Sequence, residues 1–226
     1  MRQSLSTFNS VPAGTHWFTG SLSSREIRRR MWHMCPGLLP IILQVVPHAD
    51  PVSPTLRWII LGVAAALGLR IAWGFRQIQR ANETDGMWAI AGYALSVMGM
   101  VLLFPQHLEL AFALLAILAF GDGSATLFGL LFRGPRLPWN PAKSWSGLLA
   151  FITVGTLMAS WIYWGESLNL EAVEAPVTFG TAVMLVAPAV VVAALSESVD
   201  SQINDNVRVG IVGGLILMLT HLFRPM

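Results

Sequence analysis

Charge and cysteine are what this 226-residue sequence has least of. Only 12% of the residues are charged, about half the usual share for a soluble domain. Cys35 is the single cysteine, which excludes an internal disulfide and leaves no cysteine pattern for a metal. A formal charge of +2 is too small to mark a nucleic-acid-binding surface. The chain carries neither a glycine-rich loop ending in Gly-Lys-Ser/Thr nor the paired motifs of protein kinases. Residues 1–24 are polar, rich in Ser and Thr, and without the apolar core of a secretory signal, so they read as a flexible tail ahead of one polytopic domain over 25–226. What fills the chain instead is apolar: 54% hydrophobic residues and a mean hydropathy of +0.62. That composition defines an integral membrane protein of the all-α class.

The apolar stretches fall at about 32–48, 56–75, 86–105, 108–132, 146–164, 181–197 and 207–223, each near the roughly 20 residues that cross a bilayer. Seven transmembrane helices are therefore expected, the first of them bent by Pro36, Pro40 and Pro47. Eight of the nine tryptophans lie near span ends or in short loops, Trp17 being the exception, in the manner of an interfacial belt. With the amino terminus in the cytoplasm, twelve basic residues fall inside and only Arg57 and Arg224 outside, which sets the expected orientation. The Asn82 sequon then lies on an inner loop, where it is a chance match.

Within the fourth span, "GDGSATLFG" sets Asp122 between Gly121 and Gly123 and follows it with Ser124 and Thr126. A buried acid in a membrane helix costs about 2.5–3.5 kcal/mol and marks a functional site by default. About 14 residues at 1.5 Å each carry the chain some 21 Å down from Leu108, which puts Asp122 near the cytoplasmic face. The two glycines are expected to interrupt the helix there. A new helix starting near Ser124 would offer its amides to an anion, while Asp122, Ser124 and Thr126 suit a hard cation such as magnesium. A simple helix cap is the competing account of Asp122.

Three more polar groups fall on the same side. "RGPRLPWNPAKSWSG" brings Asn140, Lys143, Ser144 and Gly147 to the start of the fifth span, where a lysine and a serine suit phosphate oxygens; its cations would otherwise serve topology alone. "SESVDSQINDN" supplies Glu197, Asp205 and Asn206, or, more plainly, a helix exit and cap with Glu197 paired to Arg208. In "REIRRRMWHM", Arg25, Arg28 and Arg29 recur at helical spacing and His33 stands four residues after Arg29. One face of that helix would close over a nucleotide, or else anchor at anionic lipid.

With these residues together, the chain resembles the polyprenol kinase family of CTP-dependent membrane lipid kinases, and its phytol kinase branch above all. The resemblance rests on "GDGSATLFG", "LPWNPAKSWSG" and "SESVDSQINDN" in that order, with "RRRMWHMCPG" at the entry to the first span. The motif that reads Lys, Thr, any residue, Glu, Gly in dolichol kinases has Ser144 and Ser146 in place of Thr and Glu here, which favours the phytol kinase branch. The resemblance implies transfer of a terminal phosphoryl group from CTP to an isoprenoid alcohol such as phytol or geranylgeraniol. It implies Asp122, Glu197 and Asp205 as ligands of one or two Mg2+ ions, with Asp122, Lys143 and Asp205 at the chemistry. Gly121, Gly123, Ser124, Thr126, Asn140, Ser144, Gly147, Asn206, Arg29 and His33 would surround the nucleotide. Lipid alcohol, nucleoside triphosphate and membrane lipids are the expected partners. Two rivals share some of these features: a cytidylyltransferase that forms a CDP-lipid and releases pyrophosphate, and a cation-coupled transporter with a broken helix at mid-membrane.

Overall fold

Ser, Thr and Asn side chains cap the starts of several helices, and proline breaks the first apolar stretch. The structure, a computed structural model, is described over residues 23–44, 49, 51–78, 86–169, 172 and 174–224. Ser23 caps α1 (Ser24–Met34) by accepting the Glu26 amide at 3.2 Å, so the helix begins just inside the expected tail. Pro36 and Pro40 then divide the first apolar stretch into a 3₁₀ turn (Cys35–Leu38) and the short α2 (Leu39–Leu43). Proline lacks an amide donor and clashes with the preceding turn, so one straight span does not form there. Next come α3 (Pro54–Ile78) and α4 (Gly86–Leu103). Asn82 lies outside the described residues.

α5 (Leu108–Ala116) passes through a π turn (Ile117–Gly121) directly into α6 (Asp122–Phe132). This corrects the expected break at GDGS. Gly121 and Asp122 keep right-handed helical angles, so the helix widens by a π turn, a feature common at functional sites, and no free helix start forms at Ser124. Arg133 ends α6 in the left-handed conformation, φ 42°, and a small antiparallel hairpin, β1 (Arg136–Leu137) with β2 (Asn140–Ser144), follows. The chain finishes with α7 (Trp145–Ser167), α8 (Phe179–Ser198) and α9 (Asp205–His221), capped by Ser144, Thr178 and Asn204.

Among the described residues, four helices are long and apolar enough to cross a membrane: Pro54–Gly74, Leu108–Phe132, Trp145–Ser167 and Phe179–Ser198. The seven expected spans are thus reduced on this measure. α4 supplies only the shorter apolar stretch Ile90–Leu103, and α9 has 17 residues with Asp205 and Arg208 in its first turn. The four are not equivalent. Leu108–Phe132 is 78% buried along its apolar window and Pro54–Gly74 only 6%, so the helix that carries Asp122 is the centre of the bundle and α3 its rim. Leu110, Leu114, Ile117 and Leu118 on that central helix meet Phe151 and Ile162 of α7 and Val190 of α8 in one apolar core. An apolar helix with so exposed a surface is stable against lipid rather than water. Trp58 and Trp73 project from α3 at 66% and 82% exposure.

Candidate functional site

α1, α6, the β1–β2 hairpin and the α8–α9 junction all end on one polar cavity of about 1030 Å³. Each element delivers side chains whose types the sequence already marks. From α6 comes Asp122, whose Oδ2 stands 3.0 Å from His33 Nε2 and 3.8 Å from Arg30 Nη1. The same His33 nitrogen lies 3.0 Å from the Leu118 carbonyl. Leu118 belongs to the π turn, so the turn and the acid next to it are read by one imidazole. Arg30 also donates through Nε to Glu26 at 3.3 Å, one turn back on α1.

The hairpin docks on the end of α8: Trp139 Nε1 donates to Ser198 Oγ, and Asn140 Nδ2 to the Ser198 carbonyl, both at 3.0 Å. This fixes Lys143, the only lysine of the chain, between two carboxylates. Its Nζ donates to the Glu197 carbonyl at 2.6 Å, to Glu197 Oε1, and to Asp205 Oδ2 at 3.0 Å. Burial opposes the charge of Lys143, but Glu197 and Asp205 outweigh it and hold the ammonium pKa above its ordinary value. Arg208 takes the other Asp205 oxygen and the Val199 carbonyl. The expected pair of Glu197 with Arg208 is therefore replaced: Glu197 faces Lys143, and Arg208 faces Asp205 three residues before it on α9.

Not every expected residue meets the cavity. Asp122, Thr126, Lys143, Ser144, Gly147, Glu197, Asp205, Asn206, Arg29 and His33 line it. Gly121, Gly123 and Ser124 are turned into the bundle. A side chain at Gly123 would come within 2.5 Å of Met34 Cγ, so the glycine lets α6 touch α1. Ser124 is 2% exposed and lies 2.9 Å from the Gly121 carbonyl and 3.1 Å from that of Ala150, so its hydroxyl links α6 to α7. Asn140 holds the hairpin to α8, and Ser144 accepts the Gly147 amide at 3.2 Å as the cap of α7. Gly147 permits a close approach of α7 to α6, since a Cβ there would fall 2.8 Å from the Ala125 carbonyl oxygen. On α1, Arg28 is exposed while Arg29 lines the cavity.

Arg30 and Glu26 are the residues that sequence reasoning missed. The signal was present: Arg30 stands four residues after Glu26 and three before His33, so one helical face holds all three. A spacing of four from His33 selects Arg29 and a spacing of three selects Arg30, and helical periodicity alone does not choose between them.

The donor set can do two kinds of work. The carboxylates of Asp122, Glu197 and Asp205 are the oxygen ligands a hard divalent cation prefers, and Arg29, Arg30, His33 and Lys143 in the same cavity suit an anion. In comparisons with known proteins, no family model and no solved structure matches the chain. Among curated proteins, phytol kinase 1, chloroplastic, from Arabidopsis thaliana is 23% identical over 196 residues. That alignment covers 82% of this chain and 63% of the plant protein. Probable phytol kinase 2, chloroplastic, from Oryza sativa subsp. japonica is 23% identical over 202 residues, covering 85% of this chain and 65% of the rice protein. The match spans a little under two thirds of either relative's length. Over most of its own length the chain is similar, at low identity, to phytol kinases, the branch that its motifs resemble.

Proposed function

We propose that the chain is a membrane lipid kinase that phosphorylates an isoprenoid alcohol such as phytol or geranylgeraniol, with CTP as donor and Mg2+ as cofactor. One observation carries this reading: the carboxylates of Asp122, Glu197 and Asp205 line a single cavity together with Arg29, Arg30, His33 and Lys143, side chains drawn from four separate segments, at the end of an apolar bundle. Phosphoryl transfer asks a protein chiefly for positioning and for neutralising charge on phosphate oxygens. Asp122, Glu197 and Asp205 would hold the metal, which supplies that neutralisation when bound. Lys143, Arg29 and Arg30 would grip the phosphates. The alcohol oxygen attacks the terminal phosphorus, the bond to the bridging oxygen breaks, CDP departs, and the alcohol proton passes to one of the three carboxylates. The isoprenoid tail stays in lipid between the helices, and the nucleotide reaches the cavity from the cytoplasm, with the amino terminus on that same side.

Lys143 is engaged by Glu197 and Asp205, two of the carboxylates that would hold the metal, so its ammonium stands inside the cavity that would receive the phosphates. Purified chain in detergent, given a panel of alcohols and each of the four triphosphates, should yield an alcohol phosphate and CDP. Release of pyrophosphate with a CDP-lipid would refute the kinase reading in favour of the cytidylyltransferase.

A further inference from the structure

The opposite end of the bundle holds a second polar cluster that this chemistry does not use. α9 runs from Asp205 at the cavity to His221, 16 residues and about 24 Å away. There His221 meets His107 and Glu109 at the start of α5 and Glu174 in the segment between α7 and α8. One ligand atom from each of the four lies within 4.8 Å of all the others.

Two observations separate this group from an ordinary cluster of ion pairs. His221 is 9% exposed, and its Nε2 is buried without a hydrogen bond. That nitrogen nevertheless points at two carboxylates, 3.6 Å from Glu174 Oε1 and 3.9 Å from Glu109 Oε1. Its other nitrogen, Nδ1, is 2.8 Å from the hydroxyl of Tyr163, a residue only 1% exposed. With Nδ1–H donating to that hydroxyl, Nε2 presents a lone pair toward two anions, an arrangement that a cation between them satisfies.

The spacings agree with such a cation. Nitrogen and oxygen ligands about 2.0–2.2 Å from a tetrahedral ion lie about 3.4 Å from one another. The edges from His107 Nδ1 to Glu109 Oε1 (3.4 Å) and from His221 Nε2 to Glu174 Oε1 (3.6 Å) already fall near that value. Arg224 touches the same carboxylates, at 3.2 Å to Glu109 Oε1 and 2.9 Å to Glu174 Oε2. Each oxygen has two lone pairs, so the guanidinium can orient the carboxylates while leaving one pair inward. It also balances one of the two negative charges, and the remaining charge favours a cation. Imidazole and carboxylate together suit a d-block ion better than magnesium or calcium.

We propose that His107, Glu109, Glu174 and His221 form a binding site for one divalent transition-metal cation of the Zn2+ type, which ties α5, α9 and the α7–α8 segment together at the end of the bundle away from the polar cavity. The test uses the full chain in detergent, stripped with chelator and titrated with Zn2+. Calorimetry and elemental analysis should give one ion per chain, and Co2+ in its place should give the intense visible bands of four-coordinate cobalt. His221→Gln and Glu174→Gln should both abolish this binding. Tyr163→Phe, which removes the hydroxyl partner of Nδ1 and none of the four ligands, should weaken it about 10–100-fold. Glu174 is half-exposed, so its variant folds even where His221→Gln does not, and size-exclusion profiles with helical circular dichroism check this. Asp122→Asn should bind Zn2+ as the unaltered chain does, which excludes His33 and Asp122 as the ligands. Absence of stoichiometric binding, or binding that survives both His221→Gln and Glu174→Gln, would overturn the proposal.

Discussion

Lys143→Ala should damage both the stability and the activity of this protein, and the two effects are separable. In the folded chain the Lys143 ammonium lies against Glu197, whose side chain is 9% exposed, and Asp205, whose side chain is 44% exposed. Removing one partner of a buried ion pair costs about 3–5 kcal/mol. Lys143 itself is one quarter exposed, so water reaches the stranded Glu197 and the cost should fall at the lower end, about 3 kcal/mol. The Asp205 arm is open to solvent and adds no more than about 1 kcal/mol. Independently, loss of a charge-stabilising group at a phosphoryl-transfer site should lower turnover by about two to three orders of magnitude. Thermal unfolding in detergent and turnover with a soluble short-chain alcohol at saturating nucleotide report the two effects. Glu197→Gln removes the stranded charge, so Lys143→Ala made in that background should cost little further stability. Lys143→Arg should keep the charge and most of the stability, yet recover activity only in part, because a planar fork does not replace a point charge. Near-wild-type turnover in both Lys143→Ala and Lys143→Arg would refute a role at the phosphate and leave Lys143 as a structural tie between the hairpin and the α8–α9 junction.

Asp122→Asn should abolish Mg2+-dependent turnover while leaving the amount of folded protein unchanged, since the amide keeps the shape and His33 keeps the Leu118 carbonyl; unchanged turnover would reduce Asp122 to a helix residue. The folded pKa of Lys143 lies above its unfolded value of 10.5, so its contribution to stability is fully present below the unfolded pKa and is lost only as pH rises through the folded one. The stability difference between the unaltered chain and Lys143→Ala should therefore not fall from about pH 7 to 9, and a decline within that window in pH-dependent unfolding would contradict it. Gly147→Ala should lower the unfolding midpoint by the equivalent of about 1–3 kcal/mol, because the added methyl meets the Ala125 carbonyl oxygen at 2.8 Å. Accessibility probes introduced at 136–142 and at 174–178 should label from opposite sides of the membrane, and labelling of both from one side would overturn the proposed topology.

The site was legible in the sequence to the extent that its residues are chemically out of place. Asp122 interrupts an apolar run, Lys143 sits in a proline-rich loop, and Glu197 and Asp205 bound the last two helices; each is costly where hydropathy puts it, so each could be found without coordinates. Their partners could not. Lys143 and Glu197 are 54 positions apart, and His33 and the Leu118 carbonyl 85, and no local period reports a pairing over such distances. Arg208, three residues after Asp205 and nearer in sequence to Glu197 than Lys143 is, was the natural but incorrect partner for Glu197. The glycines of GDGS misled for a related reason. Glycine permits a break but equally permits contact, and only the approach of Met34 to Gly123 shows that contact prevails.

By itself the sequence determined the class of this protein and the locations of its apolar segments, because partition into lipid depends on the composition of about 20 consecutive residues. It also determined which ionisable groups would have to find partners. Tertiary structure decided everything that depends on rotation about a helix axis: which face of α1 turns Arg30 and His33 toward Asp122, that Ser124 faces α7 instead of the cavity, and that a π turn carries the central helix through where a break was expected. It alone gathered His107, Glu109, Glu174 and His221, which lie up to 114 positions apart, into one cluster. Burial against neighbouring helices sets those rotations, and a pattern read along one segment contains no record of the surfaces it will meet.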